Sequence, residues 1–202
     1  ISIIPILEKL EKKKNIRQII ITTSTTSSAR IFEKQKFKKA IHRYYPLDIN
    51  YITNKFIDIW KPQLAIFVDS EIWPNMFKNL NKKKIPIILL NARISKKSFG
   101  RWRIFKKFSN EVFSKISLAL PSNLETKKYL KILGTKKIKI AGNIKYYGKT
   151  KLNKKNRFLL KKKFKNFKVW CAASTHHNEE ILIANLHKIV KKNIKKLLTI
   201  II

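Results

Sequence analysis

A series of short apolar runs, each followed by a helical pattern, constrains this chain more than any other feature. Ile19-Ile20-Ile21-Thr22-Thr23, Leu64-Ala65-Ile66-Phe67, Ile85-Pro86-Ile87-Ile88-Leu89-Leu90 and Ser117-Leu118-Ala119-Leu120 have the length of strands, the first being β-branched throughout and the runs from Leu64 and Ile85 reading as buried ones. Between them lie segments with one apolar face. Residues 2–13 place Ile3, Ile4, Leu7 and Leu10 together, helical spacing continues through Ala29, Phe32, Phe37 and Ala40, and an amphipathic stretch runs from Ile49 to Trp60 after the short Tyr44-Tyr45-Pro46 segment. A basic, aromatic helix is expected from Ser95 to Phe113. Asn123 is placed to cap the next helix and Gly134 to close it, before a short strand at Ile138–Ala141. Such alternation predicts an α/β fold with a parallel, doubly wound sheet and right-handed crossovers.

The composition changes after Tyr147. Residues 148–167 are mainly Lys and Asn, a linker plus one helix, and a new strand, Val169–Ala173, then delivers Ser174-Thr175-His176 ahead of a helix from Asn178 to Lys192. The run Leu197–Ile202 reads as the following strand. A domain boundary is therefore expected near 150–165, with a second domain only begun. The chain opens inside an apolar pattern at Ile1 and stops inside another at Thr199–Ile202, so it reads as a fragment. The single Cys171 allows no internal disulfide. No apolar stretch is long enough to cross a bilayer, and any anchor is expected outside these residues.

A formal net charge of +36 raises the question of nucleic acid, because basic surfaces bind phosphates by releasing counterions. Two features weigh against it. Lys far exceeds Arg, with abundant Ile and Asn, as coding bias toward A and T produces on tolerant surface positions. The runs Lys82-Lys83-Lys84 and Lys161-Lys162-Lys163 fall in turns or on polar helix faces. No helix-turn-helix, zinc or RNA-recognition pattern is present. Most of these Lys read as solvated surface, which leaves a residual attraction to anionic membranes.

The stretch with the most chemistry is Val68-Asp69-Ser70-Glu71-Ile72-Trp73-Pro74-Asn75. It delivers Asp69 and Glu71 at the C-terminal end of a strand, the edge where open α/β sheets bind ligands. Equally, Ser70 or Asp69 could cap the helix that Pro74 opens, with Trp73 filling core. Arg93 ends the next strand and suits bidentate binding of an anion or a structural ion pair. Ser174, Thr175 and His176 precede a helix N-terminus, where free backbone N–H groups hold anions and where the same residues serve as ordinary caps. His176-His177 with Glu179-Glu180 lacks the ligand set of a metal site, so none is expected. On the helix around Trp102, Phe99, Phe105 and Phe108 lie among Arg101, Arg103, Lys106 and Lys107; the aromatic face suits core packing, and the mixture also suits a membrane interface.

Asp69-Ser70-Glu71-Ile72-Trp73-Pro74-Asn75, Asn91-Ala92-Arg93-Ile94-Ser95, Gly142-Asn143-Ile144-Lys145 and Ala173-Ser174-Thr175-His176, in this order, closely resemble the 3-deoxy-D-manno-octulosonic acid (Kdo) transferase family. The resemblance implies a GT-B architecture: residues 1–150 as an acceptor-side Rossmann-like domain, 151–167 as a basic linker and helix, and 168–202 as the start of a nucleotide-sugar-binding domain. It implies transfer of Kdo from CMP-Kdo to the lipid A precursor (lipid IVA) in lipopolysaccharide biosynthesis, by an inverting, metal-independent reaction at the cytoplasmic face of the bacterial inner membrane. No cofactor and no nucleic-acid partner are implied. Asp69, where the family usually has Glu, is implied to support the transition state with Glu71 beside it, and Lys145 to neutralise the departing CMP phosphate. Asn91, Arg93, Asn143, Ser174, Thr175 and His176 are implied substrate contacts. The family's general-base Glu falls immediately upstream of Ile1, so residues 1–202 alone are expected to be inactive. Another GT-B nucleotide-sugar transferase would share the fold without all these motifs, and a nucleic-acid binder would leave the strand-end carboxylates unexplained.

Overall fold

A computed structural model describes residues 3–144 and 154–202. The chain divides into two compact units, Ile1–Lys149 and Thr150–Ile202. In the first, the elements run α1 (Ile4–Glu11), β1 (Ile19–Thr23), α2 (Thr26–Glu33), β2 (Ala40–Tyr44), α3 (Asn50–Trp60), β3 (Ala65–Val68), α4 (Pro74–Lys82), β4 (Ile87–Ala92), α5 (Lys96–Ile104), α6 (Lys106–Phe113), β5 (Leu118–Pro121) and α7 (Leu124–Leu133). The second contains α8 (Lys154–Phe164), β6 (Lys168–Ala172), α9 (Glu179–Asn193) and β7 (Leu197–Ile201).

Every strand pair is parallel, as the strand-helix alternation demands. β1 pairs with β2, β3 with β4 and β4 with β5, so the described strands of the first unit form a two-stranded and a three-stranded group; β6 pairs with β7 in the second unit. The core is built around β4. Ile87 and Leu89 are fully buried among Phe67, Phe77, Leu80, Phe113, Ala119, Leu130 and Leu133. Aromatic contacts tie the layers: Phe67 meets Phe77 edge-on at 4.7 Å between centroids, and Phe99 stacks on Tyr129 at 4.0 Å. A polar tie also crosses this interior, where Asn79 of α4 donates to Thr53 Oγ1 (2.8 Å) and Asn50 O (2.9 Å) of α3.

Several expectations are corrected. Helical spacing through Phe37 and Ala40 gives way to a helix that ends at Glu33, then a turn with Lys36 at φ 49°, and then strand β2, which pairs with β1 from Ile19–Ala40 to Thr23–Tyr44. β3 is not buried throughout: Ile66 and the preceding Leu64 are exposed, because β3 is the edge of its group. The strand expected at Ile138–Ala141 is a single bridge between Ile138 and Ala119. The long helix from Ser95 breaks at Phe105 (φ −103°, ψ 62°) into α5 and α6. The break lets both halves face the core, with Trp102 edge-on to Phe113 at 5.1 Å, and turns Ile104 and Phe105 outward.

The caps follow local chemistry. Ser95 accepts from Ser98 N at 3.2 Å, Asn123 accepts from Thr126 N at 2.8 Å, and Gly134 ends α7 at φ 111°. A Cβ on Gly134 would lie 3.0 Å from Asn110 Oδ1 and 3.2 Å from the Asn110 Cα. With the left-handed backbone cost added, Gly134→Ala is expected to lower stability by about 1–2 kcal/mol. Urea unfolding checks this, and an unchanged midpoint would contradict it.

Candidate active site at the carboxyl edge of β3 and β4

β3 runs out at Val68, and Asp69 follows with a left-handed backbone, φ 61°. Its amide still donates to Leu90 O (3.0 Å), and its carbonyl accepts from Arg93 N (3.2 Å). Ser70 Oγ then donates to Arg93 O at 2.8 Å. The acidic segment is thereby laced to the end of β4, so Asp69 sits on a rigid edge rather than on a free loop. Asp69 is partly buried, whereas Ser70, Glu71 and Arg93 are exposed.

Asn91 occupies a register shift in the β4–β5 ladder, and it too is left-handed, φ 55°. Its Nδ2 donates to Asp69 Oδ1, and its Oδ1 accepts from Ile144 N at 3.2 Å. Asp and Asn are the non-glycine residues that enter this backbone region most readily, so both strand ends can turn sharply here. The structure thus brings together Asp69, Asn91 and the Gly142–Ile144 segment. Asn143 lies in that segment, partly buried. Lys145 lies outside the described residues.

The capping alternative for the acidic motif fails on geometry. Helix α4 starts at Pro74 with no side-chain bond from its own cap residue, Trp73. Its free amides are instead taken by Asp48, which accepts from Asn75 N (3.1 Å) and Met76 N (2.8 Å), while Asn75 Nδ2 donates to Asp48 O (2.6 Å). Neither Asp69 nor Ser70 is spent on the helix. Glu71 accepts from Trp73 Nε1 at 2.7 Å, and Trp73 stacks on Tyr45 at 4.7 Å. Burial, followed by the carboxylates of Asp48 and Glu71, pushes the Tyr45 phenol far above its ordinary range, so it stays protonated at any physiological pH. Tyr45 and Asp48 were not expected at the site. The turn signal Pro46-Leu47-Asp48 was visible, but its partner helix lies 27 residues away.

In the second unit, Ser174 is left-handed (φ 60°) and donates its amide to Ile202 O at 2.8 Å. The expected free N–H groups ahead of α9 are partly taken, since Glu179 Oε2 accepts from His176 N at 2.8 Å; Thr175 Oγ1 approaches Glu180 Oε1 at 3.5 Å. Among the described residues, no helix is long and apolar enough to cross a membrane.

Parallel α/β units that present polar groups at the carboxyl ends of their strands are the Rossmann-like units from which the GT-B fold is built. The crystal structure of UDP-GlcNAc 2-epimerase from Neisseria meningitidis bound to UDP-GlcNAc shares this fold, with TM-score 0.65 at 14% identity, over 99% of this chain and 61% of that one. Within that class, the sequence model of the family described as 3-deoxy-D-manno-octulosonic-acid transferase (kdotransferase) matches residues 1–147. The chain belongs to the Kdo transferase family. It is 32% identical to the 3-deoxy-D-manno-octulosonic acid transferase of Haemophilus influenzae, over 100% of this chain and 48% of that protein. It is 36% identical to the enzyme of the same name from Rickettsia typhi, over 84% of this chain and 36% of that protein. The chain therefore spans about half, or less, of the curated relatives it matches.

Proposed function

We infer that the protein containing this chain transfers Kdo from CMP-Kdo to a lipid A precursor, with inversion and without a metal ion. In that reaction an acceptor hydroxyl oxygen forms a bond to the anomeric carbon of Kdo, the bond from that carbon to the CMP phosphate oxygen breaks, and the hydroxyl proton passes to a base. The observation that supports this reading most is the Asp69 carboxylate, fixed at the strand edge by Asn91 and not consumed by helix capping. A fixed anion there favours the positive charge that grows on the sugar as its leaving group departs, and preorganisation makes that interaction stronger than it would be in water. Arg93, exposed and without an ion pair among the described residues, is free to take a substrate carboxylate or phosphate. Lys145 would neutralise the phosphate that leaves with CMP. The test is transfer of Kdo from CMP-Kdo to lipid IVA by the purified full-length protein without added metal. Absence of product with both substrates present sinks the reading.

The acceptor is a lipid, and the corner between α5 and α6 is suited to reaching it. Ile104, Phe105 and Phe108 are 73%, 67% and 49% exposed there, among exposed Arg101, Arg103, Lys106 and Lys107. A pocket of about 210 Å³ lined by Arg103, Lys106, Ser109, Ile132 and Leu133 adjoins them. Apolar side chains ringed by cations fit an anionic bilayer surface, in which each Lys or Arg contributes about 1 kcal/mol. Reversing Arg101 and Arg103 to Glu is expected to weaken binding to phosphatidylglycerol vesicles by about 10-fold or more at low salt. Sedimentation with anionic and neutral vesicles reads this out, and equal binding by wild type and variant would reduce the patch to solvated surface.

A further inference from the structure

Asn91 was expected to contact substrate, yet its side chain is 1% exposed and both of its ends are engaged inside the fold. A register shift in a ladder turns a side chain out of the normal alternation and re-aims it. Here the shift falls between Leu90, which pairs with Leu120, and Ala92, which pairs with Pro121. The re-aimed amide reaches two segments that do not otherwise share a ladder: the Asp69 carboxylate on one side and the Ile144 backbone on the other. Its orientation follows from the partners. A carboxylate only accepts and a backbone N–H only donates, so Nδ2 must face Asp69 and Oδ1 must face Ile144.

We propose that Asn91 is a positioning residue for the transfer reaction: one amide fixes the rotamer of the Asp69 carboxylate and sets its place relative to the Gly142–Ile144 segment. The proposal rests on the reading of Asp69 as the carboxylate that supports the transition state. A bond to Oδ1 leaves the second carboxylate oxygen available to the reacting sugar while removing the side chain's freedom to rotate away. Rate is sensitive to such placement because an error of about 1 Å can cost on the order of 100-fold.

Two variants of the full-length protein separate this role from a purely backbone one. Asn91→Gly keeps the left-handed conformation accessible and removes both arms of the bridge. Asn91→Asp keeps the size, the tolerance of that conformation and the acceptor for Ile144 N, and replaces the donor that faces Asp69 with a carboxylate oxygen that repels it. Per folded protein, kcat is expected to fall by about 10- to 100-fold in both variants, with KM for donor and acceptor within about threefold of wild type. Hydrogen exchange gives a readout independent of activity: the Ile144 amide loses protection in Asn91→Gly and keeps it in Asn91→Asp. If Asn91 served only to accommodate the backbone turn, both variants would keep wild-type kcat, and that result overturns the proposal. Should the buried charge of Asn91→Asp prevent folding, Asn91→Gly decides alone. A wild-type protein that transfers no Kdo counts against the functional reading instead; exchange then decides the bridge, which an Ile144 amide equally unprotected in wild type and Asn91→Gly overturns.

Discussion

Asp69→Asn is expected to lower kcat for Kdo transfer by on the order of 100-fold or more in the full-length protein, with the fold intact. The size of the effect is that of removing one preorganised group aimed at charge developing in the transition state. The substitution isolates that charge unusually well. Asn is isosteric with Asp and tolerates the φ of 61° found at this position. Its amide oxygen can accept from Asn91 Nδ2 as the carboxylate does, so the bridge to Ile144 survives. What disappears is the negative charge alone. Steady-state kinetics with both substrates saturating measure the change, and turnover within about threefold of wild type would remove Asp69 from the chemistry. Glu71→Gln is the natural comparison. Glu71 is exposed and bonded to Trp73, so a large loss there with a small loss at Asp69 would exchange their roles.

Lys145→Ala is expected to lower kcat by about 100-fold or more as well, with a smaller change in KM for CMP-Kdo. The reasoning is differential. An ammonium that meets the phosphate equally before and during bond cleavage would tighten donor binding without speeding turnover. As the bond to the sugar breaks, charge accumulates on the departing phosphate, so a cation held near it strengthens its interaction in the transition state. Lys145→Arg should recover only part of the loss, because a planar guanidinium does not reproduce a compact point charge. Near-normal turnover in Lys145→Ala would make this Lys surface charge.

Much of the scaffold was legible in the residues. Short apolar runs marked β1, β3, β4 and β5, Asn123 and Gly134 marked the two ends of α7, and the polar ends of the runs at Val68 and Leu90 pointed to the edge where Asp69 and Asn91 sit. What was hidden depended on partners distant in sequence. The break at Phe105 escaped because aromatic spacing continues across it; only the competing demands of Trp102 and Phe113 for the same core reveal it. β2 escaped because Phe37 and Ala40 extend the helical period of α2, and pairing with β1 overrides that local pattern. Asp48 could not be recognised as the cap of α4 without knowing that its loop returns to Asn75. Asn91 carries the same lesson at the site itself. A motif drew it out, but a polar residue at a strand end reads as a ligand contact until its burial and two bonded ends are seen.

The left-handed backbone shared by Asp69 and Asn91 also bears on how this site can drift. Of the common side chains, Asp, Asn and Gly enter that conformation most readily, so folding itself filters out most replacements at both positions. Asp and Asn codons differ by a single base, G against A, and the Lys-, Ile- and Asn-rich composition is what a drift toward A and T produces. At position 69 the replacement favoured by that drift is therefore one the backbone accepts readily, and it removes the carboxylate charge that the proposed reaction uses. An Asn at position 69 would leave the fold intact and be felt only through the charge that the proposed role of Asp69 depends on.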